Sequence, residues 1–583
     1  MSIVACAVRW NPVKDLGVVL AEKKLARLVL KCNNATRIAI LTESGDREAM
    51  ALGRGSLLIC PSVQVIGFNG RGRVQYQTRN QRTLADNIAE FQRRYVYAKD
   101  FISYLARNEI KPVRVERGQS GRWLVFCVLA ETSRTMFDID REVLFVVTDY
   151  PTVEPRLLGE IQGHLRDNAR LDNQVAVLLS LDEDADRIAR QRVGETVVLT
   201  LNAGNISAGT PEFRRLLADT ISSVDHFNVT TPLTSPSAFF GRERDIAEAR
   251  RCLGLGQHLG IFGLRKAGKS SLLNRLSDVL KGQDWAVANL DLNEYFGTPR
   301  IFKSSIVRTL AEVAEAKKLT LPRLVSASAP RRDIVNDHWL KDLGVVVDAL
   351  GRSAKGIVIM IDEIDTSLPG RTLGANEEED ELGLLRALAQ LRAFIQRRDM
   401  QGKSRPVLLC AGVDPGLFER PKIRRLANPL YQFASIQFIK PMDRDELQEM
   451  VRTLGKRTGM RFREHELIDR LLSEYGGHPL LTRQACSFVH RRRPRAVVPY
   501  QVTLDDIDRA TTATGPGTPL DHALDVPASF EEWYPEESAL LDSRLESGAP
   551  AIGSQGLDHA VAYGILNDDG SARINALLRR HDI

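Results

Sequence analysis

The segment GIFGLRKAGKSSLLNRL holds the clearest chemistry in the chain: Gly263, four residues, then Gly268, Lys269 and Ser270. Glycines let successive backbone N–H groups turn toward one point with no Cβ in the way, which suits the oxygens of a polyphosphate. The apolar run LGIF precedes the loop and the amphipathic SSLLNRLSDVL follows it. A strand therefore leads in, and a new helix adds the partial positive charge of its N-terminus. Gly263, Leu264, Arg265, Lys266, Ala267, Gly268, Lys269, Ser270 and Ser271 form the expected nucleotide-binding loop. In such a loop Lys269 neutralises the β- and γ-phosphates, and the Ser270 hydroxyl holds Mg²⁺. The plainer alternative is a glycine-rich turn that only joins strand to helix.

A phosphate loop of this kind needs a distant acid to complete the metal shell, at the end of another buried strand. GIVIMIDEID supplies it, with apolar residues from Ile357 to Ile361 and then Asp362 and Glu363. A strand apolar throughout is buried on both faces of a parallel sheet, and ligands gather at its C-terminal edge. Asp362 is expected to share the metal with Ser270. Glu363 is expected to orient and deprotonate the water that attacks the γ-phosphate. Asp365 has the plainer role of capping the next segment. The guanine-reading motif NKxD is absent, so the expected nucleotide is ATP, with Mg²⁺.

Upstream stands FFGRERDIAEARRCL, with Gly241, Arg242 and Glu243. It resembles the FxGRE motif that opens the ATPase module of the AAA+ origin-recognition proteins and of the STAND signal-transducing ATPases. PVLLCAGVD is similar to the family's sensor-one strand, and YGGHPLLTRQAC, with Pro479, resembles the G-x-P motif of its helical lid. The resemblance covers about residues 238–495. It implies that Gly241, Arg242 and Pro479 lie near the nucleotide. It also implies an arginine given in trans by a neighbouring subunit, for which Arg424 and Arg425 in FERPKIRRLANP are the expected donors, with Arg420 beside them. Two positions depart from the family. The sensor-one strand ends in Cys410, Ala411 and Gly412 without a polar γ-phosphate contact, and Arg483 reads equally as a second sensor or a surface residue. His478 reads as a nucleotide contact or a packed turn histidine.

These residues need a scaffold, and the pattern of apolar runs predicts a multidomain α/β protein. Residues 1–140 read as a mixed strand and helix domain, with TLADNIAEFQRRYVYAKDFISYLARN as one long helix. Residues 141–230 read as a small parallel α/β unit, and TTPLTSPS as a linker. A parallel-sheet P-loop ATPase core at 238–440 and a helical lid at 441–500 follow. Residues 503–583 look like a winged helix, with YGIL, an Asp-Asp-Gly turn and ARI as its hairpin. The acidic run from Asn376 to Glu381 reads as a solvated loop. The basic run HRRRPR from His490 to Arg495 reads as a phosphate contact or a helix end whose charge suits the dipole.

With 583 residues, 43% hydrophobic and 26% charged, the chain is of ordinary globular composition, and no run approaches the ~18 apolar residues of a membrane span. The N-terminus lacks a long apolar stretch, so the cytoplasm is the expected location. Seven scattered cysteines form no CxxC pair, which argues against a disulfide framework or a zinc ribbon. The net charge of +6 is too small to imply a nucleic-acid partner by itself. No nuclease, protease or TIR-like constellation stands out before residue 230. Asp138, Asp140 and Glu142 lie close together, but no ExK pattern completes a metal site.

Two functions fit. One is an ATP-driven switch of the STAND type that self-associates on binding ATP, answers an unknown protein or ligand trigger, and serves an N-terminal sensor or effector region. The other is a DNA-handling AAA+ ATPase whose winged helix reads duplex. The acids of the tail (Glu531, Glu532, Glu536, Glu537, Asp568, Asp569) would repel phosphates and favour the first.

Overall fold

The computed structural model describes residues 84–118, 121–191, 196–206, 211–233, 236–295, 298–328, 332–368, 382–547 and 556–582, together with five strands before residue 80. The acidic run at 376–381 and the SLLICP portion of the expected N-terminal strands lie outside these residues. Two compact units divide the chain, Met1–Lys99 with Val113–Arg117 and Asp100–Pro112 with Gly118–Ile583.

In the first unit β1 (Asp15–Ala21), β2 (Leu25–Cys32) and β3 (Ala35–Thr42) form an antiparallel meander. β4 (Val63–Phe68) and β5 (Val74–Thr78) form an antiparallel pair. The expected long helix is two helices, Leu84–Arg94 and Ala98–Arg107. The break falls at Tyr95, Val96 and Tyr97, where β-branched and aromatic residues lose rotamer freedom in a helix. β6 (Lys111–Arg117) follows.

The second unit, which also takes in Asp100–Pro112 and so most of the helix Ala98–Arg107, holds β7 (Trp123–Val128), β8 (Glu142–Val147), β9 (Leu171–Ser180) and β10 (Val197–Asn202). β8, β9 and β10 are parallel, as the strand–helix–strand pattern predicts, with helices Pro155–Asp167 and Ala185–Arg190 between them. β7 pairs antiparallel with β8, so this sheet continues across the boundary drawn at residues 140 and 141.

A second sheet carries the phosphate loop. Its strands are β11 (Leu259–Phe262), β12 (Ala286–Asp291), β13 (Ile357–Asp362), β14 (Pro406–Gly412) and β17 (Ser435–Phe438), in the order β12-β13-β14-β11-β17 and all parallel. Ile357 to Ile361 are each at most 2% exposed, as a strand covered on both faces requires. Parallel alignment brings every C-terminal strand end to one edge. Between β14 and β17 a short hairpin, β15 (Lys422–Ile423) and β16 (Leu426–Ala427), projects from the surface.

The lid holds helices Arg444–Arg457, His465–Tyr475 and Pro479–Arg492, plus the parallel pair β18 (Met460–Arg461) and β19 (Tyr500–Gln501). The tail holds helices Leu504–Thr512, Pro519–Trp533, Pro535–Ser547 and Asp558–Ala562. Where a hairpin is expected, one antiparallel bridge joins Leu566 to Ala572 around Asp568, Asp569 and Gly570. Of the basic run, Arg493 is buried and donates to the Ser222 and Thr458 carbonyls, holding the helix end rather than meeting a phosphate. The described cysteines Cys127, Cys252, Cys410 and Cys486 are free and buried. No helix among the described residues is long and apolar enough to cross a membrane.

Candidate functional site

The loop from Gly263 to Gly268 leaves the end of β11 and opens the helix Lys269–Lys281. Lys266 and Gly268 take positive φ angles, 64° and 100°, which curl the backbone into a cradle of N–H groups. The Gly263 N–H is tied to the Gly412 carbonyl at 3.2 Å, which fixes the loop to β14. The Lys269 ammonium is buried and donates to the carbonyls of Gly263 at 2.8 Å and Leu264 at 3.1 Å. Burial lowers its pKa, while Glu363, Asp365 and Asp362 oppose that shift.

Ser270 donates its hydroxyl hydrogen bond to Asp362 Oδ2 at 2.7 Å, so the two expected metal ligands already face each other across 92 residues of sequence. The Ser270 hydroxyl and the Asp362 carboxylate are hard oxygen donors of the kind Mg²⁺ prefers, and they would hold it here. Asp291, at the end of β12, is the register partner of Asp362 and adds a further carboxylate at this edge. Sequence reasoning misses it, because a lone Asp at a strand end gives no motif.

Glu363 takes a left-handed backbone, φ 53°, immediately beyond Asp362 and lines the cleft with Lys269. Burial pushes its pKa up to about 7; Lys269 opposes this, and Asp365 and Asp362 reinforce it. A carboxylate poised near neutrality suits a general base. Asp365 does more than cap the next turn. It is buried and accepts the N–H groups of Val413 at 2.7 Å and Asp414 at 3.1 Å, tying the residue cluster after β13 to the end of β14. Gly412 makes this possible, because a Cβ there would meet Asp365 Oδ1 at 2.8 Å. Gly412→Ala is expected to push that carboxylate off its two N–H donors and to cost about 1–3 kcal/mol, read as a lower urea midpoint. An unchanged midpoint would show that the contact relaxes freely.

The cleft around the loop encloses about 360 Å³. Arg242 is buried at its rim, with its own left-handed φ of 72°. It donates to the Lys440 carbonyl and, at 3.4 Å, to the Ala267 carbonyl, and pairs with Asp245 at 3.6 Å. Gly241 has φ 63° and packs tightly on Met442 and Glu446 of the lid. Pro479, Leu480 and Arg483 of the lid complete one wall. Arg483 is buried rather than a surface residue; its Nη2 donates to the Ala238 carbonyl at 2.8 Å, while Nη1 has no partner among the described residues. Burial, with Arg457 near it, lowers its pKa to about 10. His478 is the N-cap of the helix Pro479–Arg492, with Nδ1 accepting from the Leu481 N–H at 3.4 Å.

The opposite wall comes from Val229 to Leu233. The TTPL part of the expected linker TTPLTSPS is thus docked at the cleft. Leu233 donates its N–H to Ser271 Oγ at 3.0 Å, and Asn274 Nδ2 donates to the Leu233 carbonyl at 3.4 Å, so the segment is docked on the loop's own helix. The Ser271 hydroxyl therefore accepts a hydrogen bond from the chain itself. The tail also reaches the loop: Lys266 pairs with Asp525 at 3.2 Å and Arg265 with Glu532 at 3.5 Å. Of the three candidate arginines, Arg420 is held by Asp414 at 2.8 Å, whereas Arg424 and Arg425 stand exposed at the tip of the β15–β16 hairpin.

A parallel sheet bearing this loop, with Lys269, Ser270 and Asp362 gathered at one edge, is the site of a P-loop nucleoside triphosphatase. Residues 234–502 match the family model described as Novel STAND NTPase 1, so this part of the chain, somewhat less than half of it, is similar to the P-loop module of that family. No curated protein matches the sequence. Among solved structures the chain is similar to the Walker-type ATPase PABY2304 of Pyrococcus abyssi, at 16% identity and a TM-score of 0.40 over 60% of this chain and 99% of that one. It is similar to the Aeropyrum pernix ORC1 protein in complex with DNA, at 16% identity and 0.29 over 58% and 78%. Cdc6p from Pyrobaculum aerophilum follows at 13% identity and 0.30 over 62% and 98%. These three likenesses are too distant to carry a role to this chain.

Proposed function

We propose that the chain is an ATP-binding and ATP-hydrolysing switch of the STAND type, in which nucleotide state is passed to the lid (441–500) and the tail (503–583). One observation carries this reading. The walls of a single cleft come from the loop, from the incoming segment Val229–Leu233 and from the lid, while the tail's Asp525 and Glu532 pair with Lys266 and Arg265 on the loop itself. Filling the cleft with a triphosphate must therefore be felt in all of these parts. Mg²⁺ held by Ser270 and Asp362 would supply charge neutralisation to the triphosphate. Lys269 turns from the loop carbonyls to the phosphates, Ser270 and Asp362 face the metal, and Glu363 takes a proton from the attacking water. The tail's acids suit a winged-helix-like reporter better than a reader of duplex.

The trans-acting arginines find support in backbone strain. Arg424 and Arg425 occupy a two-residue hairpin loop with φ angles of 44° and 66°. Asn-Gly is the usual occupant of such a turn, and non-glycine residues held there cost of order 1–3 kcal/mol each. A rigid, exposed tip with two guanidinium groups suits a neighbour's γ-phosphate. ATP is expected to promote self-association in light scattering, and Arg424→Ala with Arg425→Ala to lower turnover more than nucleotide affinity. A monomer at every ATP concentration with full turnover would end the trans-arginine idea. In the same preparation, tight and steeply salt-dependent binding of duplex DNA would replace the switch by a DNA-handling ATPase.

A further inference from the structure

A second cavity, of about 580 Å³, lies where the lid meets the small α/β unit and shares no lining residue with the nucleotide cleft. Its charged lining is one-sided: Arg452, Lys456, Arg461 and Arg463 from the lid against Asp138 alone. Arg461 sits in β18, whose backbone is fixed by pairing with β19. Its side chain is only 9% exposed. Yet its hydrogen bonds are two long ones of 3.5 Å to the carbonyls of Met460 and Met136, and it has no ion pair among the described residues. Removing a guanidinium from water costs several kcal/mol unless a counter-charge compensates it. Burial accordingly lowers the Arg461 pKa, with Asp138 opposing and Arg463 reinforcing the shift.

Asp138 compensates poorly. It is 65% exposed at its side chain and lies 3.7 Å from Lys456 rather than against Arg461. The Gln174 carboxamide, on β9, also lines the cavity with a buried oxygen that has no hydrogen-bond partner among the described residues. Turned over, the same group offers two N–H donors to an anion. The Arg452 guanidinium is held on the carbonyls of Phe462 at 3.0 Å and Arg463 at 3.1 Å, which braces the wall without neutralising it.

We propose that this cavity is a binding site for a small phosphate-bearing molecule with at least two negative charges. Arg461 and Lys456 take its phosphate oxygens from the lid side, and Gln174 does so from the α/β side. Planar guanidinium forks match phosphate oxygens in pairs, which is why arginine is chosen for such recognition. The recessed position of Arg461 selects a slender group over the convex backbone of a duplex, whose phosphates would meet the exposed Arg463 first. A ligand held by both parts clamps the lid to the α/β unit, the place where an incoming signal could set the lid.

The test titrates the full chain, preloaded with a non-hydrolysable ATP analogue and Mg²⁺, with inorganic pyrophosphate in a calorimeter. One equivalent is expected to bind, and Lys456→Glu and Arg461→Gln are each expected to weaken it at least tenfold. Lys456 is partly exposed, so its variant decides the matter even where Arg461→Gln melts early. The absence of a binding heat, or equal affinity in Lys456→Glu, overturns the proposal. So does competition by duplex DNA that falls steeply with salt, which would assign the cavity to a nucleic-acid backbone. None of these results touches the nucleotide cleft.

Discussion

Glu363→Gln is expected to bind ATP as the parent chain does and to turn it over about 10²–10⁴-fold more slowly, the usual loss when a general base is removed. The amide keeps the shape of the side chain and its reach into the cleft but cannot accept the proton from water. The pH profile sharpens the test. Burial sets the Glu363 carboxyl at about 7, so in the free protein it is largely protonated below neutrality and unable to act as a base. Because kcat/KM reports ionisations of the free protein, it should rise with pH through about 7 and level off above. Glu363→Gln should lose that limb along with the rate. Normal turnover in the variant removes Glu363 from the mechanism. A slow variant that keeps the limb assigns the ionisation elsewhere, to Asp291 or Asp365, whose pKa values burial also raises.

The parts of this site that could be read in sequence are those that one short segment specifies by itself. The residues from Gly260 to Leu276 announce a strand, a curled loop and a helix within seventeen letters, and Ile357 to Glu363 announce a buried strand with acids at its tip. The parallel α/β unit was legible for the same reason, since βα alternation is local. What escaped depends on pairing at a distance. Asp291 matters only because β12 lies in register with β13. TTPLTSPS reads as a linker because proline and threonine cannot announce that Ser271 will take the Leu233 N–H. Asp525 and Glu532 look like any acids on a helix until Lys266 and Arg265 are found beside them. The long N-terminal helix failed on a finer point. Hydrophobic periodicity runs through Tyr95, Val96 and Tyr97, but their poor helix propensity outweighs it there.

Lys269→Ala carries the largest expected effect on binding. The ammonium is buried, held on the Gly263 and Leu264 carbonyls, and ringed by Glu363, Asp365 and Asp362. A bound triphosphate brings more negative charge to that edge, and this lysine is the one buried cation among the residues of the loop. Truncating one partner of a buried charge pair costs about 2–5 kcal/mol, roughly 30- to several-thousand-fold in affinity. ATP affinity should therefore fall by that factor, with Mg²⁺ unable to restore it. The substitution has a second consequence that a merely misfolded loop would not produce. Lys269 is the group that lowers the Glu363 pKa, so without it the Glu363 carboxyl should titrate above 7. Following that carboxyl by infrared or NMR titration in the nucleotide-free protein gives the shift independently of binding. In cells the two variants should part company, Lys269→Ala silent and Glu363→Gln held in the ATP state and overactive. Normal ATP affinity in Lys269→Ala would overturn the phosphate-loop assignment, and with it the switch.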